Sequence, residues 1–500
     1  MLRRRAAAAG AWSAADVILR QGVGFVVSIV LARILTPADF GLMALVLFFS
    51  SFSIYLVQGG ISAALIQRQD TTLQEESAIF WWNLIGSVAF GLLLGLASPW
   101  IADFYGYPLL QPLLWVAALQ IALTGIGAVQ TALLTRELRF DRLMIAGIPA
   151  SLLSGIVGVA AAAQGAGVWA LALQSCLMAA INSALIWFIS PWRPIAFFRP
   201  SAVRGLLGFG AWLGFSNTLE LVYSQGFSLL IGKLYGARDL GLYSRAAGTQ
   251  NLPSGILSSV VSGLAFPIFS AKADDPEALR RGLRMAAGLA MLINVPAMVG
   301  LALLSSLVIE VLFGEKWAPA APILAILAFV GILLPMHVLN LKLLLAQGRA
   351  DTYFRIEIYK KVIGTGFVVG GSLFGIFGLA YSQLAVAVAA YFVNTMPTAR
   401  NIGYGGFAQL RDLAGIWGAS LGMALVVLLL RQHVPGPPAV QLVALTAAGG
   451  VSYLALCFIL RVPSLWEAKN AAGHLIADRR ARRRGAASQD CASDVSEAQG

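Results

Sequence analysis

Charge is scarce in this sequence: Asp, Glu, Lys and Arg make up 12% of its 500 residues. An ordinary soluble domain carries about 25%, so a string of soluble domains, the first expectation from length, is excluded. Cysteine is scarcer. Three residues cannot build a disulfide framework, and two of them, Cys176 and Cys457, stand inside apolar runs. With three His and no CxxC or HExxH spacing, no metal centre is expected. The loop pattern GxxxxGKS or GxxxxGKT is also missing, so neither ATP hydrolysis within the chain nor a bound cofactor is expected.

What the sequence has instead is apolar length. Hydrophobic residues make up 58%, and the mean hydropathy is +0.79. They come in runs such as LINVPAMVGLALLSSLVIEVLF (292–313) and GASLGMALVVLLL (418–430). A helix crosses the hydrocarbon core with about 20 predominantly apolar residues. The 52 Gly suit close helix packing in a bilayer. Fourteen spans are predicted, near 11–35, 39–67, 77–102, 109–135, 143–163, 167–190, 206–235, 239–269, 285–313, 318–347, 355–375, 378–398, 412–430 and 439–460. The expected fold class is therefore all-α, a polytopic membrane protein. The N-terminus opens like a signal peptide, with Arg3, Arg4 and Arg5. Asp16 and Arg20 interrupt the apolar stretch that follows, which is read as the first span, retained.

Basic residues set an orientation. With the N-terminus cytoplasmic, 25 of the 35 Lys and Arg fall on the cytoplasmic side, five on the other and five within spans. That bias follows the positive-inside rule and would collapse if one span were missed midway. Both termini are expected in the cytoplasm. The formal net charge of +12 is then mostly topogenic, with no nucleic-acid partner implied. Arg479, Arg480, Arg482, Arg483 and Arg484 can hold the tail to anionic lipid. The expected organisation is a cytoplasmic N-terminus (1–10), an N-lobe of six spans ending in a basic link (11–204) and a C-lobe of six (205–404). Two further spans (405–461) and a cytoplasmic tail (462–500), basic and then disordered, complete it.

Self-comparison reveals a repeat at an offset of 200 residues. Gly10, Ala11 and Trp12 recur as Gly210, Ala211 and Trp212; Leu19 and Ser28 match Leu219 and Ser228. The segment ARILTPADFGL (32–42) aligns without gaps to GKLYGARDLGL (232–242). Each unit contains six spans, an even number, so the lobes share one orientation and an axis along the membrane normal. Arg33 and Lys233, with Asp39 and Asp239, fall at hairpins. They are read as structural: a cation at a helix C-terminus, then an acid near the next helix start.

The segments SIVLARILTPADFGLMAL (28–45), GISAALIQR (60–68), IADFYGYPLL (101–110), ALLTRELRF (132–140), GVWAL (167–171), LLIGKLYGARDLGLYSRA (229–246), EVLFGEKW (310–317) and LLLAQGRAD (343–351) cover both halves in order. Together they resemble the polysaccharide (O-antigen and exopolysaccharide) flippase family of the multidrug/oligosaccharidyl-lipid/polysaccharide exporter superfamily. The resemblance implies two parallel six-helix lobes around a central cavity, in a bacterial inner membrane. It also implies transport of an undecaprenyl-pyrophosphate-linked oligosaccharide to the periplasmic face for lipopolysaccharide or exopolysaccharide synthesis. Expected partners are that lipid-linked oligosaccharide and membrane lipids, with a polysaccharide polymerase and glycosyltransferases alongside. Where the family often carries a charged patch in the seventh helix, this chain has Ser224, Gln225, Gly226, Phe227 and Ser228.

Flipping breaks no bond, so no catalytic residue is expected and the chemistry is electrostatic. Cationic side chains in a wet cavity would replace the lost hydration of a pyrophosphate, and the planar fork of Arg suits it. Arg20 and Arg245 are the first candidates, with Lys360 and Lys361 as an entry-side attraction. Each has a plainer reading: Arg20 as an ion pair with Asp16 one turn away, Arg245 as a helix brace, the two Lys as snorkelling residues. Glu220 stands at the repeat position of Arg20. It is read as its partner across the axis, as the holder of a coupling proton or cation, or as a structural partner of another span. Trp12, Trp212, Trp81 and Trp82 are read as interface anchors, and Pro253, Pro267 and Pro296 as points where helices can bend. The alternative reading is a cation-coupled drug or small-molecule antiporter of the same superfamily, which would favour acidic cavity residues. Here intramembrane cations outnumber Asp16 and Glu220. A membrane polymerase would need a large external loop, and the longest here is RQHVPGPPAV (431–440).

Overall fold

Short polar signals start the helices. Thr36 N and Oγ1 donate to Asp39 Oδ2 at 2.9 and 2.7 Å, and Asp39 N donates to Thr36 Oγ1 at 3.3 Å. This reciprocal box precedes a helix opening on Pro37, whose fixed φ suits a first turn. Thr72 and Glu75 repeat the device ahead of Leu73. The computed structural model describes residues 19, 21–58, 60–68, 70–196, 214, 218 and 220–470. In order these form α1 (Gln21–Ile34), α2 (Pro37–Gln58), α3 (Ile61–Gln67), α4 (Leu73–Tyr105), α5 (Leu110–Arg136), α6 (Phe140–Ala163), α7 (Val168–Ile189), α8 (220–234) and α9 (Gly236–Ser270). There follow α10 (Pro276–Leu303), α11 (Ser305–Phe313), α12 (Ala320–Ala346), α13 (Ala350–Ser372), α14 (Gly375–Ile402), α15 (Gly406–Asp412), α16 (Ala414–Arg431), α17 (Pro438–Ile459) and α18 (463–470).

Eleven of these helices are long and apolar enough to cross a membrane. With the shorter α1, the described part of α8, and α13, their order follows the fourteen predicted spans. The fold is a polytopic all-α membrane fold. Three details differ from the prediction. The span at 39–67 is two pieces, α2 and α3. The span at 285–313 begins earlier, because PEALRRGLR is polar yet helical, and it breaks between α10 and α11. The span at 355–375 begins earlier, at Ala350, and with Asp351, Arg355, Glu357, Lys360 and Lys361 it is not among the eleven clearly apolar helices. Asp16, Arg20, Trp12 and Trp212 lie outside the described residues.

The chain divides into two compact units. The first holds the described residues up to Gly248, together with Ile309–Ile323 and Ser372–Leu379; the second holds Thr249–Val308, Leu324–Gly371 and the chain from Ala380. In the first, α4 runs along α5, and α7 along both α5 and α6. Trp81, Trp187 and Trp192 gather on Phe80, and Trp81 Nε1 donates to Ile195 O at 3.1 Å, tying down the link. Buried Glu76 is paired with Arg136 at 2.9 Å and accepts from Trp192 Nε1 at 2.8 Å, so its charge is not left alone in the interior.

The second unit is built around Phe269, Leu283, Met291, Leu339, Tyr391 and Met423. Two of its buried amides are well satisfied. Asn294 Nδ2 donates to Gly331 O and Ile332 O, both at 2.9 Å, and Asn340 Oδ1 accepts from Thr398 and Gln409, both at 3.0 Å. Helices α16 and α17 pack on α10, where the Tyr453 hydroxyl donates to Leu292 O at 2.8 Å.

Candidate functional site

Three elements bring a cation into the interior of the first unit. Arg245, half-buried on α9, donates from Nη1 to Ser28 Oγ on α1. Its guanidinium carbon lies 4.5 Å from the ring centroid of Phe40 on α2. An Arg within a span costs roughly 2.5–3.5 kcal/mol on insertion scales. A charge-assisted hydrogen bond and a cation–π contact, about 1.5–3 and 0.5–2 kcal/mol, offset much of that cost. The same guanidinium lines a cavity of about 420 Å³ with Ser28, Phe40, Ser154, Gln174 and Ser175. Among the described residues lining it there is no Asp or Glu. One cation beside the Gln174 amide, in a lining without an acid among its described residues, suits an oxyanion, which accepts hydrogen bonds from the guanidinium and from the amide NH2.

One end of this unit is closed by contacts that come in pairs. Arg33 Nε donates to Leu312 O at 3.0 Å, and Nη2 to Val311 O, at the C-terminal end of α11. Lys233, its counterpart at the 200-residue offset, donates to Phe104 O at the C-terminal end of α4, with its ammonium 4.2 Å from the Phe104 ring. Both cations stand in the last turn of their own helices, α1 and α8, and their side chains reach the C-termini of two helices distant in sequence, as the helix dipole favours. The backbones meet in the same reciprocal way. A Cβ on Gly41 would overlap the carbonyl oxygen of Ala237, and one on Gly241 would overlap that of Pro37. Residues 37 and 237, like 41 and 241, differ by 200, so the two contacts are images of one another. Trp317, fully buried, donates to Ala32 O at 2.8 Å, and Ala237 N donates to the Tyr107 hydroxyl at 2.8 Å. Lys316 donates to Arg33 O at 2.9 Å; burial draws its ammonium below the ordinary value, and the Asp39 carboxylate opposes that shift.

None of the other candidates is among the described residues that line the Arg245 cavity. Glu220 is exposed on α8. Lys360 and Lys361 belong to the second unit, where Lys360 pairs with Glu357 one turn away at 2.6 Å. Asp16 and Arg20 lie outside the described residues. Sequence reasoning passed over Ser28, Ser154, Gln174 and Ser175 as site residues. Ser28 carried one signal, its match to Ser228 in the repeat. The other three are neutral residues in apolar runs, and nothing in their spacing marks a cavity wall.

A family model described as "Polysaccharide biosynthesis protein" matches residues 30–322. The succinoglycan biosynthesis transport protein ExoT of Rhizobium meliloti (strain 1021) is 29% identical, over 90% of this chain and 92% of its own. The lipopolysaccharide biosynthesis protein WzxC of Escherichia coli (strain K12) is 28% identical, over 79% of this chain and 82% of its own. Among solved structures, the lipid II flippase MurJ in an inward closed conformation superposes with a TM-score of 0.73 at 14% identity, covering 90% of this chain and 98% of that one. At that identity the likeness is one of fold.

Proposed function

Because the chain belongs to the polysaccharide biosynthesis protein family, we propose that it flips a lipid-linked oligosaccharide repeat unit, carried on undecaprenyl pyrophosphate, across a bacterial inner membrane for cell-surface polysaccharide synthesis. The observation that carries this reading is the Arg245 cavity: a cation held among hydroxyls and amides, with no acid among its described lining residues. A pyrophosphate entering a low-dielectric slab needs donors to replace its water, and Arg245 supplies a fork of them. A cationic drug would meet the wrong sign of charge there, which sets the antiporter alternative behind.

In this reading the lobes at 11–204 and 205–404 rock about the axis of the repeat, with Lys360 and Lys361 drawing the pyrophosphate in at the cytoplasmic side. Both termini are cytoplasmic, so the end closed by Arg33 and Lys233 is periplasmic. Arg20 joins Arg245 in holding phosphate, while Asp16 and Glu220 balance its charge or bind a coupling ion. Glycosyltransferases supply the substrate and a polymerase consumes it.

The test is reconstitution of the full chain in vesicles with a fluorescent polyprenyl-pyrophosphate oligosaccharide in one leaflet. Accelerated appearance of the glycan in the opposite leaflet is expected. A rate equal to that of protein-free vesicles would overturn the reading.

A further inference from the structure

We propose that a second cavity of the first unit is a subsite for the hydroxyl groups of an uncharged sugar. The proposal rests on the flippase reading above and concerns the glycan, not the pyrophosphate. The cavity, about 360 Å³, lies between α2, α3, α5 and α7, and among the described residues lining it none is charged. Its α5 wall carries Thr124, Thr131 and Thr135, whose spacings of seven and four place them on one helix face. Each hydroxyl gives its proton to the backbone carbonyl four residues earlier: Thr124 to Gln120, Thr131 to Gly127 and Thr135 to Thr131, all at 2.8 Å. On α7, Ser183 donates to Leu123 O at 2.8 Å. A hydroxyl has a single proton, so these four groups have only lone pairs left for a ligand.

Two amides add to the same bias. Asn182 Oδ1 is buried and accepts no hydrogen bond among the described residues. Gln58 directs its Nε2 to Ser87 Oγ at 3.3 Å, which leaves its carbonyl oxygen as the free half. A wall rich in acceptors and without charge selects a ligand rich in donors and without charge. Sugar hydroxyls fit that description. A phosphate, which only accepts, does not, and a sugar hydroxyl would supply the donor that buried Asn182 Oδ1 lacks among the described residues.

The placement fits a substrate with both chemistries. Helix α7 lines the Arg245 cavity through Gln174 and Ser175 and this one through Asn182 and Ser183. Eight residues of helix separate Gln174 from Asn182, about 12 Å at 1.5 Å per residue. A diphosphate held by Arg245 and sugars linked to it can therefore occupy both cavities together.

The experiment titrates the purified full chain, in lipid nanodiscs, with two probes: a polyprenyl pyrophosphate, and the same lipid bearing a neutral disaccharide. The wild type is expected to bind the sugar-bearing probe at least about tenfold more tightly. Asn182→Leu, and separately the double change Thr131→Val with Thr135→Val, should lower that preference about tenfold while leaving affinity for the bare lipid unchanged. Binding of the bare lipid thus reports on folding and on the flippase reading, and the ratio reports on the subsite. Equal affinity of the wild type for both probes, or an unchanged ratio in the variants, overturns the subsite and leaves the flippase reading standing. Loss of both probes by the variants overturns it too, since the pocket would then serve the pyrophosphate or the fold. If the wild type binds neither probe, both readings fall.

Discussion

Arg245 shows how one side chain can be held by its neighbours and still line a cavity. Ser28 and Phe40 fix its guanidinium on two sides, and the cavity lies beside it. If it pairs with phosphate through two parallel hydrogen bonds, a point charge reproduces the attraction but not the fork. Arg245→Lys is therefore expected to retain part of glycan export, and Arg245→Ala to lose it by about ten- to a hundredfold, the worth of a charge-assisted hydrogen bond. Export per molecule of inserted protein is the quantity to measure; equal loss in both variants would point to bracing instead. Asp16 and Arg20 call for a double-mutant cycle. If Arg20 binds phosphate, removing both should leave export as low as removing Arg20 alone. Recovery of export in the double mutant at normal abundance would leave Arg20 a structural residue. The charge of Arg245 was legible in the sequence because an ion within an apolar run stands out. Its partner was not: Ser28 is neutral and 217 positions away.

At the scale of elements, the paired contacts at the closed end carry their own prediction. Gly41 and Gly241 are the points where the start of each repeat hairpin rests on the backbone of the other. A methyl group at either position would overlap a carbonyl oxygen, and backbone yields less readily than a flexible side chain. Overpacking of this kind costs about 1–3 kcal/mol when both sides are fixed; a hinged pair can relieve it by parting. Gly41→Ala and Gly241→Ala are expected to insert normally but to favour the opened state. A single cysteine placed near Tyr107 would then react faster with a membrane-impermeant thiol reagent applied from the periplasmic side. Gly248→Ala, at a position on α9 with open space around it, serves as the control and should change nothing. Unaltered labelling in both test variants would remove the closure role. The repeat itself was readable from ARILTPADFGL and GKLYGARDLGL. That Arg33 caps α11 and Lys233 caps α4 was not, because residue type predicts that a cation seeks a helix C-terminus and not which one.

For the whole molecule, the count of crossings decides the orientation, and one helix decides the count. The unbroken apolar length of α2, α4, α5 or α12 leaves little choice, so most of the bundle was legible in the sequence. Helix α13 is different. Its 23 residues span about 35 Å, enough to cross, yet Arg355, Glu357, Lys360 and Lys361 keep it out of the clearly apolar set. The Lys360–Glu357 pair at 2.6 Å lowers its net charge, and Lys side chains near a helix end can reach the interface. If α13 instead lay along the surface, every later segment would invert. Arg400, Arg411 and the seven basic residues of the tail would move to the periplasm, against the positive-inside rule. A reporter active only in the periplasm, fused at 373–374, is therefore expected to be on. Fusions at 233–238 and 431–438 should also be on, whereas those at 190–204, 270–284 and beyond 462 should stay silent. A silent fusion at 373–374 with an active one beyond 462 would show that α13 does not cross. It would leave an odd number of spans in the second half and break the six-plus-six division on which the parallel repeat depends.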